Sequence, residues 1–223
     1  MVVDCGFDGA ACRDWRLWGT AVTGCSFRRA DLRGAAVGTW HQGRRNEWRR
    51  FDFGGSDFRV IVAQAALFED CEFVAAKLDK VQFEQCAMVR CHFAGIWLRS
   101  SSMSASCPAG LHPQPLEDVD FADALFDMVE FMGCKLDQVI IPADSDVRVI
   151  KNYRCVVEHA LAMINGDDSL VARMLRGEFE NTLRGMRGQE EDTLFNQRDY
   201  QVSQEFAELA TIVIGRAQAE CCS

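Results

Sequence analysis

Residues 71–88 read Cys71-Glu72-Phe73-Val74-Ala75-Ala76-Lys77-Leu78-Asp79-Lys80-Val81-Gln82-Phe83-Glu84-Gln85-Cys86-Ala87-Met88. A large apolar residue returns every five positions, at Phe73, Leu78, Phe83 and Met88. Two residues before each stands a smaller one, Cys71, Ala76, Val81 and Cys86. A half-buried strand repeats every two residues and an amphipathic helix every 3.6, so neither produces this pattern.

The period extends in both directions. One register runs Phe7, Cys12, Leu17, Val22, Phe27, Leu32, Val37; a second runs from Phe53 through Phe58, Ala63, Phe68 and on to Met103. A third runs Phe121, Phe126, Phe131, Leu136, Ile141. Eleven of the 15 Phe residues fall on these positions. A wall that turns a corner every five residues buries one large and one small side chain per wall. Four walls close a turn of 20 residues, and successive turns stack at the strand spacing of about 4.8 Å. Cys5, Cys25, Cys71, Cys86, Cys91 and Cys134 take the small position and Cys12 a large one, so they read as core filler, since a free thiol packs as a small hydrophobe. The odd total of 11 Cys, with no Cys-x-x-Cys pair, argues against a disulfide framework or a zinc ribbon.

Phe27-Arg28-Arg29-Ala30-Asp31-Leu32-Arg33-Gly34-Ala35 and Cys71 to Leu78 resemble the Ala-(Asp/Asn)-Leu-x-x consensus of the pentapeptide repeat family. The resemblance covers residues 3–143. It implies an all-β solenoid, a right-handed quadrilateral β-helix of pentapeptide repeats, followed here by an α-helical C-terminal segment. It also brings a distant similarity to the Qnr-type topoisomerase-protecting members, which bind DNA gyrase as dimers, mimic DNA in width and charge, and use loops projecting from the coil.

Two stretches break the register, near residues 38–50 and 104–118. The first holds Trp40, Arg44, Arg45, Trp48, Arg49 and Arg50; the second holds Pro108, His112, Pro113 and Pro115. Both read as loops, where binding residues concentrate on a rigid scaffold. Residues 1–50 carry a net +4 and residues 51–141 a net −8. Glu69, Asp70, Glu72, Glu84, Asp120, Asp127 and Glu130 form a candidate acidic face, the plain alternative being that they solvate outward positions.

From residue 144 helical spacing takes over. Val149, Tyr153, Val156, Ala160 and Ile164 form one stripe, closed by Asn165-Gly166. Asp167-Asp168-Ser169 offers an N-cap to a helix bearing Val171, Leu175, Phe179, Thr182 and Met186, and a last helix from about Asp199 presents Val202, Phe206, Leu209 and Val213. This segment, residues 144–223, reads as a cap on the solenoid or as a dimerisation element.

The formal charge of −9 argues against a nucleic-acid coat or an anionic membrane surface as partner. The opening residues lack a basic stretch followed by an apolar run, so a cytoplasmic location is expected. No nucleotide loop, nucleophile elbow or metal-spaced histidine pair is present. The expectation is a non-enzymatic protein-binding scaffold with no cofactor and a possible homodimer. The alternative is a DNA-mimicking binder of DNA gyrase or another topoisomerase that confers antibiotic resistance.

Overall fold

The computed structural model describes residues 2–104, 116–144, 146–186 and 192–221. The chain divides into two compact units, Met1–Ala143 and Asp144–Ser223.

The first unit is built of short parallel strands and single bridges whose register follows the five-residue period. One ladder, the Val22 wall, pairs Val2, Val22, Trp48, Phe68, Met88 and Leu116 in succession. The Phe7 wall pairs Gly6, Ser26, Asp52, Glu72, His92, Asp120 and Ile140. The Cys12 wall pairs Ala11, Asp31, Asp57, Lys77, Trp97 and Leu125. The Leu17 wall pairs Arg16 with Ala36, and further on Val62, Gln82, Ser102 and Glu130. Neighbours lie 20 residues apart except across the two interruptions.

Between walls the backbone turns through a left-handed residue two positions after most of the large ones. Asp4, Gly9, Asp14, Gly19 and Gly24 make the first such corners, and Val60, Ala65, Asp70, Ala75 and Lys80 continue them, all at positive φ. Most L-residues avoid this region, so each non-glycine corner is held by the ladders on either side.

The first six inward residues of the Phe7 wall are all phenylalanine, and Ile141 follows them. Phe7, Phe27, Phe53, Phe73, Phe93 and Phe121 stack in order, with centroid separations of 4.8, 6.0, 5.0, 4.5 and 4.6 Å. The small position does the work expected of it. Cys71 Sγ donates to the Trp48 carbonyl at 3.3 Å, Cys86 Sγ to Ala63 at 3.3 Å and Cys91 Sγ to Phe68 at 3.4 Å. Each thiol thus lies beneath the preceding turn, and Ser101 Oγ repeats the contact to Leu78 at 3.0 Å. Burial pushes the Cys12, Cys25 and Cys71 thiols up, so they stay protonated and unreactive.

Both interruptions end one repeat earlier than the sequence reading placed them. Trp48 is five before Phe53, and Leu116 is five before Phe121; each is a wall residue paired in the Val22 ladder. Both inserts therefore leave the chain between the Leu17 wall and the Val22 wall. The first departs at Gly38, where a Cβ would come within 2.6 Å of the Gln64 nitrogen, so only glycine allows this backbone approach.

The second unit holds α1 (Tyr153–Met163), α2 (Leu170–Gly185) and α3 (Gln204–Cys221). It also holds an antiparallel pair, Val147–Ile150 against Thr193–Asn196, which the helical reading missed. The stripe from Val149 begins in this strand and becomes helical only at Tyr153. Ser169 caps α2, accepting from the Ala172 nitrogen at 3.2 Å. The last helix starts at Gln204, after a 3₁₀ turn over Gln197–Tyr200, which leaves Val202 exposed rather than on its inner face. Val156, Val157, Ala160, Leu175, Phe179, Phe195, Ala210 and Ile214 make the core. Arg148 lies over the Phe195 ring at 4.7 Å, and burial holds its guanidinium below its ordinary pKa. Among the described residues, no helix is long and apolar enough to cross a membrane.

Candidate functional site

The first insert carries a compact site. His41 and Arg44 exchange two backbone hydrogen bonds, 2.8 and 2.9 Å long, across Gln42 and Gly43, both at positive φ. That is a two-residue turn, and it sets Trp40 and Arg44 outside the ladder. His41 stacks on Trp18 with centroids 5.9 Å apart. Trp18 and Trp40 are 56% and 45% exposed. Gly19, Thr20, Trp40, Gly43, Arg44 and Glu47 line a surface concavity between the turn and the wall. Arg45 approaches Glu47 at 3.7 Å on its rim.

The insert is anchored from beneath. Asn46, fully buried, takes the small position before Trp48. Its Nδ2 donates to the Leu17 carbonyl at 2.6 Å and to Val37 at 3.2 Å, and its Oδ1 accepts from the Thr20 nitrogen at 3.0 Å. These bonds satisfy backbone groups near the point where the chain leaves the wall.

Three residues of the first expected loop do not belong to it. Trp48 is 1% exposed and packs against Phe27, Phe51, Phe53 and Phe68, so it is core and not a contact residue. Arg49 closes the Glu47–Arg49 strand and pairs with Glu47 at 3.2 Å and with Glu69. Arg50 is a left-handed corner. The expected contacts Pro108, His112, Pro113 and Pro115 lie outside the described residues.

The candidate acidic residues do not share one face. Glu72 and Asp120 project from the Phe7 wall, flanking His92, whose Nδ1 is 2.9 Å from Glu72 Oε2. Glu84 and Glu130 belong to the Leu17 wall, Asp127 to the Cys12 wall, and Glu69 to the Val22 wall with Asp70 at its corner. Several are neutralised. Arg90 binds Asp70 at 2.7 Å and Glu69 at 2.8 Å, and Arg99 binds Asp127 at 2.9 Å while lying 3.9 Å over the Trp97 ring. The Arg90 hydrogen bond holds the Asp70 carboxyl below the usual range.

Sequence reading missed two groupings. Trp18, on the lattice flank, stacks on His41, 23 residues away, and no local signal joins them. In the second unit Cys155, His159 and Cys221 converge, with all three ligand atoms within 4.8 Å of one another and the two cysteines joined as a disulfide. Among the described residues this is the one Cys/His/carboxylate cluster whose geometry could hold a metal ion.

No family model matches the chain, and no curated protein matches it. Among solved structures it is similar to HetL, a pentapeptide repeat protein involved in heterocyst differentiation regulation from the cyanobacterium Nostoc. The identity is 16% and the TM-score 0.28, over 61% of this chain and 56% of that one, so the match spans little more than half of HetL. It is also similar to QnrB1, a plasmid-mediated fluoroquinolone resistance protein. A trypsin-treated form gives 14% identity and a TM-score of 0.22, over 64% of this chain and 81% of that one. The full-length form gives 16% and 0.19, over 63% and 81%. The likeness to these pentapeptide repeat proteins is a distant one. At these scores the architecture rests on the ladder register and not on the likeness.

Proposed function

We propose that the Met1–Ala143 unit is a right-handed quadrilateral β-helix and that the protein is a non-enzymatic scaffold that binds another protein through its first insert. The observation that carries this reading is the exposure of Trp40, which lines a concavity with Arg44, beside an exposed Trp18 stacked on His41 of the same turn. Tryptophan and arginine dominate the energetics of protein interfaces, and two large exposed indoles are costly to keep in water. Residues 1–50 carry a net +4, so the fitting partner presents an acidic, partly apolar segment. Affinity capture with the wild type and with a Trp40→Ala/Arg44→Glu variant tests this. A protein held by the first and lost by the second supports the reading, whereas identical capture profiles sink it.

A second reading is favoured by the column Asp52, Glu72 and Asp120 on the Phe7 wall and by the net charge of −9. On that reading the protein binds DNA gyrase or another topoisomerase in place of DNA and confers antibiotic resistance. A supercoiling assay with purified gyrase, with and without a gyrase poison, separates the two. Inhibition or rescue at low micromolar protein supports it, and no effect at high concentration removes it.

A further inference from the structure

We infer that Cys155, His159 and Cys221 form a binding site for a thiophilic divalent cation, of which Zn²⁺ is the representative, open only when the Cys155–Cys221 disulfide is reduced. Cys155 and His159 are one helical turn apart on α1, so they share a face. Cys221 is the last residue of α3, which packs beside it in the same core. His159 Nδ1 lies 3.6 Å from Cys155 Sγ and 3.5 Å from Cys221 Sγ. With zinc–sulfur bonds of ~2.3 Å and zinc–nitrogen bonds of ~2.05 Å, a tetrahedral site requires a sulfur–nitrogen edge of ~3.55 Å. The imidazole already stands at that distance from both sulfurs. Only the sulfur–sulfur edge must change, opening to ~3.8 Å once the covalent bond is gone.

The surroundings suit a cation. His159 is exposed and both cysteines are half-buried, so an ion has access and keeps a water in its fourth position. Cys221 ends α3, where the helix dipole presents partial negative charge. Nδ1 also lies 2.9 Å from the Cys155 carbonyl oxygen, to which it donates when it carries the ring proton; ligation gives up that hydrogen bond and moves the proton to Nε2.

The chemistry has two steps. A dithiol reductant supplies two electrons and two protons, the sulfur–sulfur bond breaks to two thiols, and the reductant leaves as its own disulfide. Zn²⁺ then forms two bonds to sulfur and one to nitrogen while both thiol protons pass to solvent. Oxidation by a low-molecular-weight disulfide reverses the sequence, releasing the ion and tying α1 to α3 covalently.

The test is anaerobic titration of the reduced, reductant-free full chain with Co²⁺, followed by displacement with Zn²⁺. The expected result is one equivalent bound with a thiolate-to-cobalt charge-transfer band, lost on zinc addition. The band should be absent from the oxidised wild type, a control that needs no substitution, and from the Cys155→Ser and Cys221→Ser variants. It should weaken in His159→Ala and survive in Cys107→Ser/Cys222→Ser. A band of equal intensity in the oxidised protein or in Cys221→Ser, its loss in Cys107→Ser/Cys222→Ser, or no band in the reduced wild type would overturn the assignment.

Discussion

Trp48 Nε1 donates to the Val37 carbonyl oxygen at 2.7 Å, joining the first large inward residue after the insert to the last one before it. The indole thus closes the gap that the insert opens and fills the axis between turns. Every other tryptophan is substantially exposed. Trp48→Ala should cost about 3–5 kcal/mol, and Trp48→Phe less, chiefly the lost hydrogen bond of about 1 kcal/mol. Chemical denaturation measures both. In Trp48→Phe the blue-shifted, quencher-resistant part of the indole emission should vanish.

Asn46 acts through hydrogen bonds alone. With Asn46→Ala, the Leu17 carbonyl and the Thr20 nitrogen lose the partners it provides in a buried place. A loss of about 2–4 kcal/mol is expected on equilibrium unfolding. Asn46→Asp keeps the acceptor but sets a carboxylate oxygen against the Leu17 and Val37 carbonyls in a buried place, so it should cost at least as much as Asn46→Ala.

Val60 turns a corner at φ 62° with 67% of its surface exposed. A β-branched side chain is disfavoured there and contributes little packing in return. Val60→Asn should therefore stabilise the protein by up to about 1 kcal/mol, read as a raised melting temperature. A fall in melting temperature would show that the corner depends on the valine.

The Arg59 hydrogen bond holds the Asp57 carboxyl below its ordinary range, as Arg90 does for Asp70. A depressed folded pKa gives stability that is complete above the unfolded value and is lost as the pH falls through the folded one. Stability should decline on the acid side of the ordinary carboxylate pKa. Because these pairs are partly solvated, each should account for only a fraction of about 1 kcal/mol. Asp57→Asn should flatten that limb of the pH profile.

The parts of the fold legible in sequence are those whose signal is periodic. The Phe7 stack and the thiols beneath the neighbouring turn follow from spacing five and residue size. Trp48 and Leu116 also obey that spacing, but a tryptophan among four arginines and a leucine behind three prolines looked like loop. The Val147–Ile150 strand was hidden because Val149 fits a helical stripe, while its partner Thr193–Asn196 lies more than 40 residues away. For the same reason the Trp18–His41 stack and the Cys155–Cys221 link are products of folding that no local pattern encodes.

The most direct test of the binding claim is site-specific photocrosslinking in the native host. A benzoylphenylalanine is placed at Trp40, and in a separate protein at Leu125, which is exposed on the Cys12 wall. The expected result is a discrete protein adduct from position 40 that is absent from position 125 and is suppressed by Arg44→Glu. No adduct at position 40, or the same adducts from both positions, would contradict the account.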